Sequence, residues 1–556
     1  MNKNQSSFKQ YLLVALLALV VVYSSMAQDS ADRTFLINKN LNTFNSVMRE
    51  LDLFYVDTLS YDKMTKNSID YMLHNLDPYT VFMPEENSDD IKLITKGEYG
   101  GVGSLIVKNG DDVCVSEPYE GMPAQRNGVR AGDIILEVDG KSTKGLSVSD
   151  VSSMLRGTPS TKVHLKLKRL GEKKPIEKTF LREKIQLPAV NYSAVVADKV
   201  GYVLLSDFTD RAAIELKAAV NEMVKQDRIE SLIIDLRDNG GGLIDEAVKI
   251  LGFFVPKGTE VVSTKGKNRE SDRAYKTPTD PVFPDMKLAI LTNRASASAS
   301  EILAGAIQDL DRGIVVGERT FGKGLVQNIR PVGYGNYLKI TTAKYYIPSG
   351  RCIQAIDYSH KNQDGSVARV PDSLTTVFYT KNGRKVRDGG GIVPDTVTTV
   401  EKTMNVAYYI LLQNHYFNFV NEYVLKHPEI ASPAEFNLSD EDFKTFTDYL
   451  VEKKFTYTTQ TEKYFDELME VAKYEGLDKR ASEEIEAFKK KLTPDIAQDI
   501  ADNKKEIVNM LSVEIIKRYY YQKGEIEYTL RDDNDLKAAL DILSAESEYS
   551  RILSKK

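Results

Sequence analysis

Ser231-Leu232-Ile233-Ile234-Asp235-Leu236-Arg237-Asp238-Asn239-Gly240-Gly241-Gly242 runs from a mainly apolar stretch, Leu232 to Leu236 broken only by Asp235, into three glycines, and a helical pattern over Asp245 to Phe254 follows. A short, mainly apolar run bounded by a glycine turn fits a strand covered on both faces, as in a parallel sheet flanked by helices. The same alternation extends on either side. Gly201 to Leu205, Leu288 to Thr292, Gly313 to Val316 and Tyr337 to Tyr346 read as further strands. Ala212 to Lys225 and Ser298 to Leu310 read as helices. Alternation of this kind predicts an α/β domain over residues 190–400.

The texture changes outside that stretch. Residues 95–185 read as short strands and turns: Ser104 to Val107, Ile134 to Val138 and Lys162 to Arg169 as strands, Val148 to Leu155 as a helix. Residues 30–93 carry Leu36, Leu41, Phe44, Val47, Met48 and Leu51 at helical spacing, with a second helical stretch, Met64 to Leu76, closed by Asp77-Pro78. Residues 401–556 are charged, rich in Tyr and Phe, and amphipathic over Phe465 to Tyr474 and Lys505 to Tyr519, which predicts a helical C-terminal domain.

A chain of 556 residues exceeds what one core organises. A net charge of −6 gives no basic surface for nucleic acid. At the N-terminus Lys3 and Lys9 precede the apolar run Tyr11 to Tyr23, and Ser25-Met26-Ala27 supplies small residues. That order reads as a secretory signal over residues 1–27, cut after Ala27, so an exported, periplasmic or cell-envelope protein is expected. The alternative is an uncleaved membrane anchor, for which the run is short. Cys114 and Cys352 fall in different domains and are expected to remain unpaired.

Three pieces carry chemistry. Asn293-Arg294-Ala295-Ser296-Ala297-Ser298-Ala299-Ser300-Glu301 joins a strand to a helix, where a hydroxyl beside unpaired helix N–H groups can meet a substrate. Ser298-Ala299-Ser300-Glu301 equally fits a capping box. Thr320-Phe321-Gly322-Lys323-Gly324 sets a lysine between glycines; it is either a solvated turn or a base, the latter only when uncharged, with Phe321 contributing to desolvation. Gly317 to Lys323 imitates a phosphate loop, but Gly324 stands where Ser or Thr is needed and a strand follows. The glycines Gly240 to Gly242 form either a tight turn or an oxyanion hole. His74, His164, His360, His415 and His427 all lie outside these loops, which leaves a Ser–Lys pair as the natural nucleophile and base.

Taken together, these motifs resemble the C-terminal processing peptidases, or tail-specific proteases, serine peptidase family S41. The resemblance runs from Phe35 to Asp395 and rests on the Asp235–Gly242 loop, Ser296–Glu301 and Phe321-Gly322-Lys323-Gly324-x-Val326-Gln327. It implies Ser298 as nucleophile, Lys323 as base and Gln327 as the residue that orients the lysine. It implies the N–H of Ala299 with that of Gly241 or Gly242 as oxyanion hole, an acyl-enzyme, and no metal or organic cofactor. The implied fold is a ClpP/crotonase-like ββα core with an inserted PDZ domain and flanking helical regions. In that PDZ domain Tyr99-Gly100-Gly101-Val102-Gly103 would receive a peptide carboxylate, with Arg156 near the peptide path. The expected partners are the C-terminal tails of polypeptide substrates, an adaptor protein, and a second copy of the chain through the N- or C-terminal helices. Two departures stand out: Cys352 replaces a serine in Ser349-Gly350-Arg351-Cys352-Ile353-Gln354, and an insertion over 357–388 delays Gly391-Ile392-Val393-Pro394-Asp395. The rival readings are a PDZ scaffold on an inactive core and a thioester enzyme on a crotonase-like core.

Overall fold

In the strand Ser231–Asp235 every residue is buried, and successive side chains point to opposite faces of one sheet. A computed structural model of the chain describes residues 32–85, 93, 95–361, 367–398 and 405–554. The N-terminal segment read as a secretory signal lies outside these residues. The chain divides into two units, one ending at Phe82 and one beginning at Met83. The first holds a helix over residues 32–54 and a second, Tyr61–His74. Asp77 ends this helical stretch by accepting from the N–H groups of Tyr79 and Thr80, both at 2.8 Å.

In the second unit the central sheet has six strands in the order Val190–Ala197, Val200–Leu205, Ser231–Asp235, Lys287–Thr292, Ile314–Gly317, Thr396–Val397. The first pair is antiparallel and the rest parallel. The period-two rule sorts its side chains into two cores. Leu232, Ile234, Leu288, Ile290 and Val315 face the helices Ala212–Asp227, Ile244–Leu251 and Ala299–Asp309. Ile233, Ala289, Leu291, Ile314 and Val316 face the other way, onto Leu536, Ala539, Ile542, Tyr549 and Ile552 of the last two helices. Those helices, Asn534–Ser544 and Glu546–Leu553, therefore cover the second face of the sheet. Arg237 ties them to the glycine loop: its guanidinium donates to Asp235 (2.5 Å), Asp533 (2.6 Å) and Asp535 (3.0 Å).

Two smaller layers flank this sheet. An antiparallel sheet joins Leu325–Gly333, Asn336–Tyr346, Glu260–Gly266 and Arg273–Lys276. Residues 104–181 form a five-strand antiparallel path with Val148–Leu155 packed on it through Val151 and Leu155. Glu98–Gly101 pairs with Glu183–Gln186 beside it.

The C-terminal helices from Val406 to Thr529 build their own core from rings, including Tyr416, Phe419, Phe446 and Tyr449. Gln460–Glu475 projects from it, with Phe465 its one buried residue, set edge-on to Phe488. The insertion supplies two hairpins, Ile356–Lys361 with Val367–Arg369 and Val377–Tyr379 with Lys385–Arg387. Cys114 and Cys352 are free. Among the described residues no helix is long and apolar enough to cross a membrane.

Candidate active site

Ser298 is the last residue before the helix Ala299–Asp309, and its backbone takes φ 58°, ψ −115°. Positive φ is costly for a residue with a Cβ and persists only where the surroundings enforce it. Here two neighbouring serines enforce it. The Ser296 hydroxyl donates to Leu236 O (2.7 Å), and the Ser300 hydroxyl donates to Asn239 O (2.9 Å). Both are fully buried, so they fasten the serine loop to the glycine loop. Ser298 remains half-buried in a cleft of about 570 Å³.

Lys323, Gln327, Gly240, Gly241, Gly242 and Tyr345 line the same cleft, and among the described residues no histidine does. The flanking glycines are what let the lysine loop fit. A Cβ on Gly322, whose φ is 88°, would lie 2.3 Å from the Ala355 Cβ, and one on Gly324 would lie 2.8 Å from Gln354 N. The Gly324 N–H donates to Gln354 Oε1 (2.7 Å), and the Ala355 N–H donates to Gly322 O (2.9 Å).

The serine and lysine loops share one carboxylate. Oε2 of Glu301 accepts from the Ser298 N–H (2.9 Å) and the Lys323 N–H (2.8 Å). Oε1 accepts from the Gly322 N–H (2.7 Å) and the Thr320 hydroxyl (2.6 Å). Glu301 is 0% exposed, and burial pushes its carboxyl up to about 7 against the pull of these four donors. On the other side the Tyr345 hydroxyl lies 2.5 Å from Lys323 O and 3.1 Å from Ser298 O. Sequence reading gave Glu301 only a cap's role and did not single out Tyr345. The S-x-x-E spacing was the available signal, but a helix cap has the same spacing.

The Gly241 N–H, one of the two glycine donors considered for a substrate oxygen, donates to Asn239 Oδ1 (2.8 Å). Asn239 is itself buried and bonded to Leu205 O (2.6 Å), so that interaction is built in. Gly241 matters instead for space: at φ 102° its missing Cβ would lie 2.7 Å from both Ala297 O and Ser298 Cβ, and 2.8 Å from Ala299 N. Gly241→Ala is therefore expected to displace the Ser298 loop and to lower both kcat/KM and the melting temperature, read by steady-state kinetics and thermal denaturation. Gly242 bridges Phe208 at the cleft wall. Gln327 sits on the strand after the lysine loop and donates to Thr341 Oγ1 (3.2 Å). Among the described residues no group of His, Cys, Asp and Glu is arranged to hold a metal.

A second groove, of about 260 Å³, runs beside the antiparallel sheet and is lined by Tyr99, Val102, Ser104, Ile106, Leu155 and Arg156, among others. The Arg156 guanidinium lies 5.3 Å from the Tyr99 ring centroid. Gly100 and Gly101 belong to the strand Glu98–Gly101, with Val102 and Gly103 in the turn beyond it. A Cβ on Gly100 would lie 2.1 Å from Gly157 O.

Comparison with known proteins agrees with this layout. The family model for Peptidase family S41 matches residues 199–361, that for the PDZ domain matches 114–169, and that for "Probable PDZ-protease, C-terminal helical domain" matches 406–543. The chain is 34% identical over 342 residues to a carboxy-terminal-processing protease of Bartonella bacilliformis, covering 61% of this chain and 77% of that one. It is 36% identical over 346 residues to a probable CtpA-like serine protease of Staphylococcus aureus, covering 62% and 68%. Among solved structures, the photosystem II D1 C-terminal processing protease aligns at 29% identity and TM-score 0.36, over 64% of this chain and 86% of that one. With the serine, lysine and glycine loops gathered in one cleft beside a PDZ domain, the chain belongs to peptidase family S41, the carboxy-terminal-processing serine peptidases.

Proposed function

We propose that the chain hydrolyses exported polypeptides through an acyl-enzyme on Ser298, with Lys323 as general base, on a core of the ClpP/crotonase type. The observation that carries this reading is the Glu301 carboxylate, which accepts from the backbone N–H of both Ser298 and Lys323 and so fixes the two loops against each other. A nucleophile and its base need that kind of fixed relation.

In this mechanism uncharged Lys323 takes the Ser298 proton as Oγ attacks the scissile carbonyl carbon. The Ala299 N–H, an unpaired donor at the helix N-terminus, and the Gly242 N–H hold the oxyanion. The lysine ammonium then protonates the departing amine, and water, deprotonated by the same lysine, releases the acyl group. Gln327 orients Lys323. The groove at Tyr99, Val102 and Arg156 receives substrate tails, with the turn at Gly103 meeting the terminal carboxylate and the strand Ser104–Asn109 offering an edge for pairing.

The test is cleavage of an unfolded model protein with an apolar C-terminus by the full chain. Wild type is expected to cleave it and Ser298→Ala to leave it intact over the same period. Equal cleavage by both would remove Ser298 as nucleophile.

A further inference from the structure

Beyond the serine and lysine loops, the active-site cleft continues along the hairpin Leu325–Gly333 with Asn336–Tyr346. Leu325, Gln327 and Ile329 alternate along the first strand and line the cleft. Lys339 pairs across from Ile329, lies on the same face and lines the cleft as well. Ile329 is four residues past Leu325, about 13 Å along an extended strand.

Lys339 is half-buried, and among the described residues no carboxylate lies within ion-pair distance of it. Burial pulls the pKa of its ammonium down, and among the described residues no charged neighbour contributes. Among the described residues the other charged side chain in the cleft apart from Lys323 is Asp207, beside the glycine loop, and its carboxyl is likewise raised by burial. The two opposite charges therefore do not neutralise each other. A lysine desolvated without a counter-ion is costly unless a ligand supplies one.

We propose that Lys339 is a specificity-determining residue that selects substrates carrying an acidic side chain a few residues from the scissile bond. A polypeptide lying extended in the cleft has the same pitch as the strand beside it. A residue about three to five positions from the bond held at Ser298 then falls opposite Lys339. An aspartate or glutamate there accepts from the ammonium in a partly dehydrated site, where such a bond is stronger than in water. This inference rests on the proposed cleavage at Ser298.

Amidated, internally quenched peptides in which a single Glu is moved position by position, each matched with a Gln version, provide the test. For wild type, one position is expected to show kcat/KM about tenfold higher with Glu than with Gln. Lys339→Gln should bring that ratio near one, and Lys339→Glu should invert it and favour Lys at the same position. A lysine that merely extends to solvent would leave the ratio unchanged in both variants, and that result overturns the proposal. If wild type cleaves no peptide, the catalytic reading fails. Anisotropy binding of the same peptides to Ser298→Ala, with and without Lys339→Glu, then decides: loss of Glu preference supports the site, and equal binding overturns it.

Discussion

Lys323→Ala is expected to lower kcat by about 1,000-fold or more, with KM changed by less than about threefold. Backbone contacts hold the loop itself. Its N–H is held by Glu301, its carbonyl by Tyr345, and the glycines on either side by Gln354 and Glu301. Truncation therefore removes the base and leaves the cleft. Lys323→Arg should fail almost as completely, because a guanidinium keeps its proton at any pH the fold survives. Since the pair acts as one unit, Ser298→Ala with Lys323→Ala should be no slower than either alone. Cleavage kinetics with thermal melts as a folding control measure all three. A Lys323→Ala enzyme within tenfold of wild type would assign the base elsewhere.

Glu301→Gln is expected to cost about 100-fold in kcat for a different reason. The swap keeps volume but turns one of two acceptor oxygens into a donor, so either the Ser298 and Lys323 N–H groups or the Gly322 N–H and the Thr320 hydroxyl lose their acceptor. In the proposed mechanism Glu301 touches no substrate and positions Ser298 and Lys323, which do. A pH signature separates this role from general damage. Its folded carboxyl titrates near 7, above the ordinary 4.5, so between those values the folded chain binds a proton that the unfolded chain has lost. Stability from this group is thus full below about pH 4.5 and declines, by about 3 kcal/mol in all, as pH rises to about 7. The difference in urea midpoint between wild type and Glu301→Gln should change across that window and level off above it. Parallel midpoints from pH 4.5 to 7.5 would contradict a buried, titrating Glu301.

Much of this arrangement is written locally in the chain. Ser231 to Leu236 reads as a buried strand because both its faces are apolar, and both prove covered. Val148 to Leu155 is a helix because its pattern and its Ser147–Asp150 capping box agree. The serine, lysine and glycine loops announce themselves by small residues at strand ends. Other features depend on partners distant in sequence. Periodicity marks Asn534–Ser544 as amphipathic but does not say that its apolar side lies on Ile233 and Leu291. The turn at Gly241 predicts freedom of φ, whereas the loss of its N–H to Asn239 depends on how that turn closes. Glu301 serves as cap and as bridge at once, and the bridge exists only because Thr320 to Lys323 fold back onto it. Lys339 looked like any charged residue on a strand until its pairing with Ile329 placed it in the cleft.

The central claim is that Ser298, alone of the three clustered serines, attacks the substrate. A fluorophosphonate probe that forms a stable bond with activated serines tests it directly, with the modified residue located by peptide mass spectrometry. A single adduct on Ser298 is expected, abolished in Ser298→Ala and strongly slowed in Lys323→Ala. An adduct on Ser296 or Ser300, or labelling of Ser298→Ala at the wild-type rate, would contradict it.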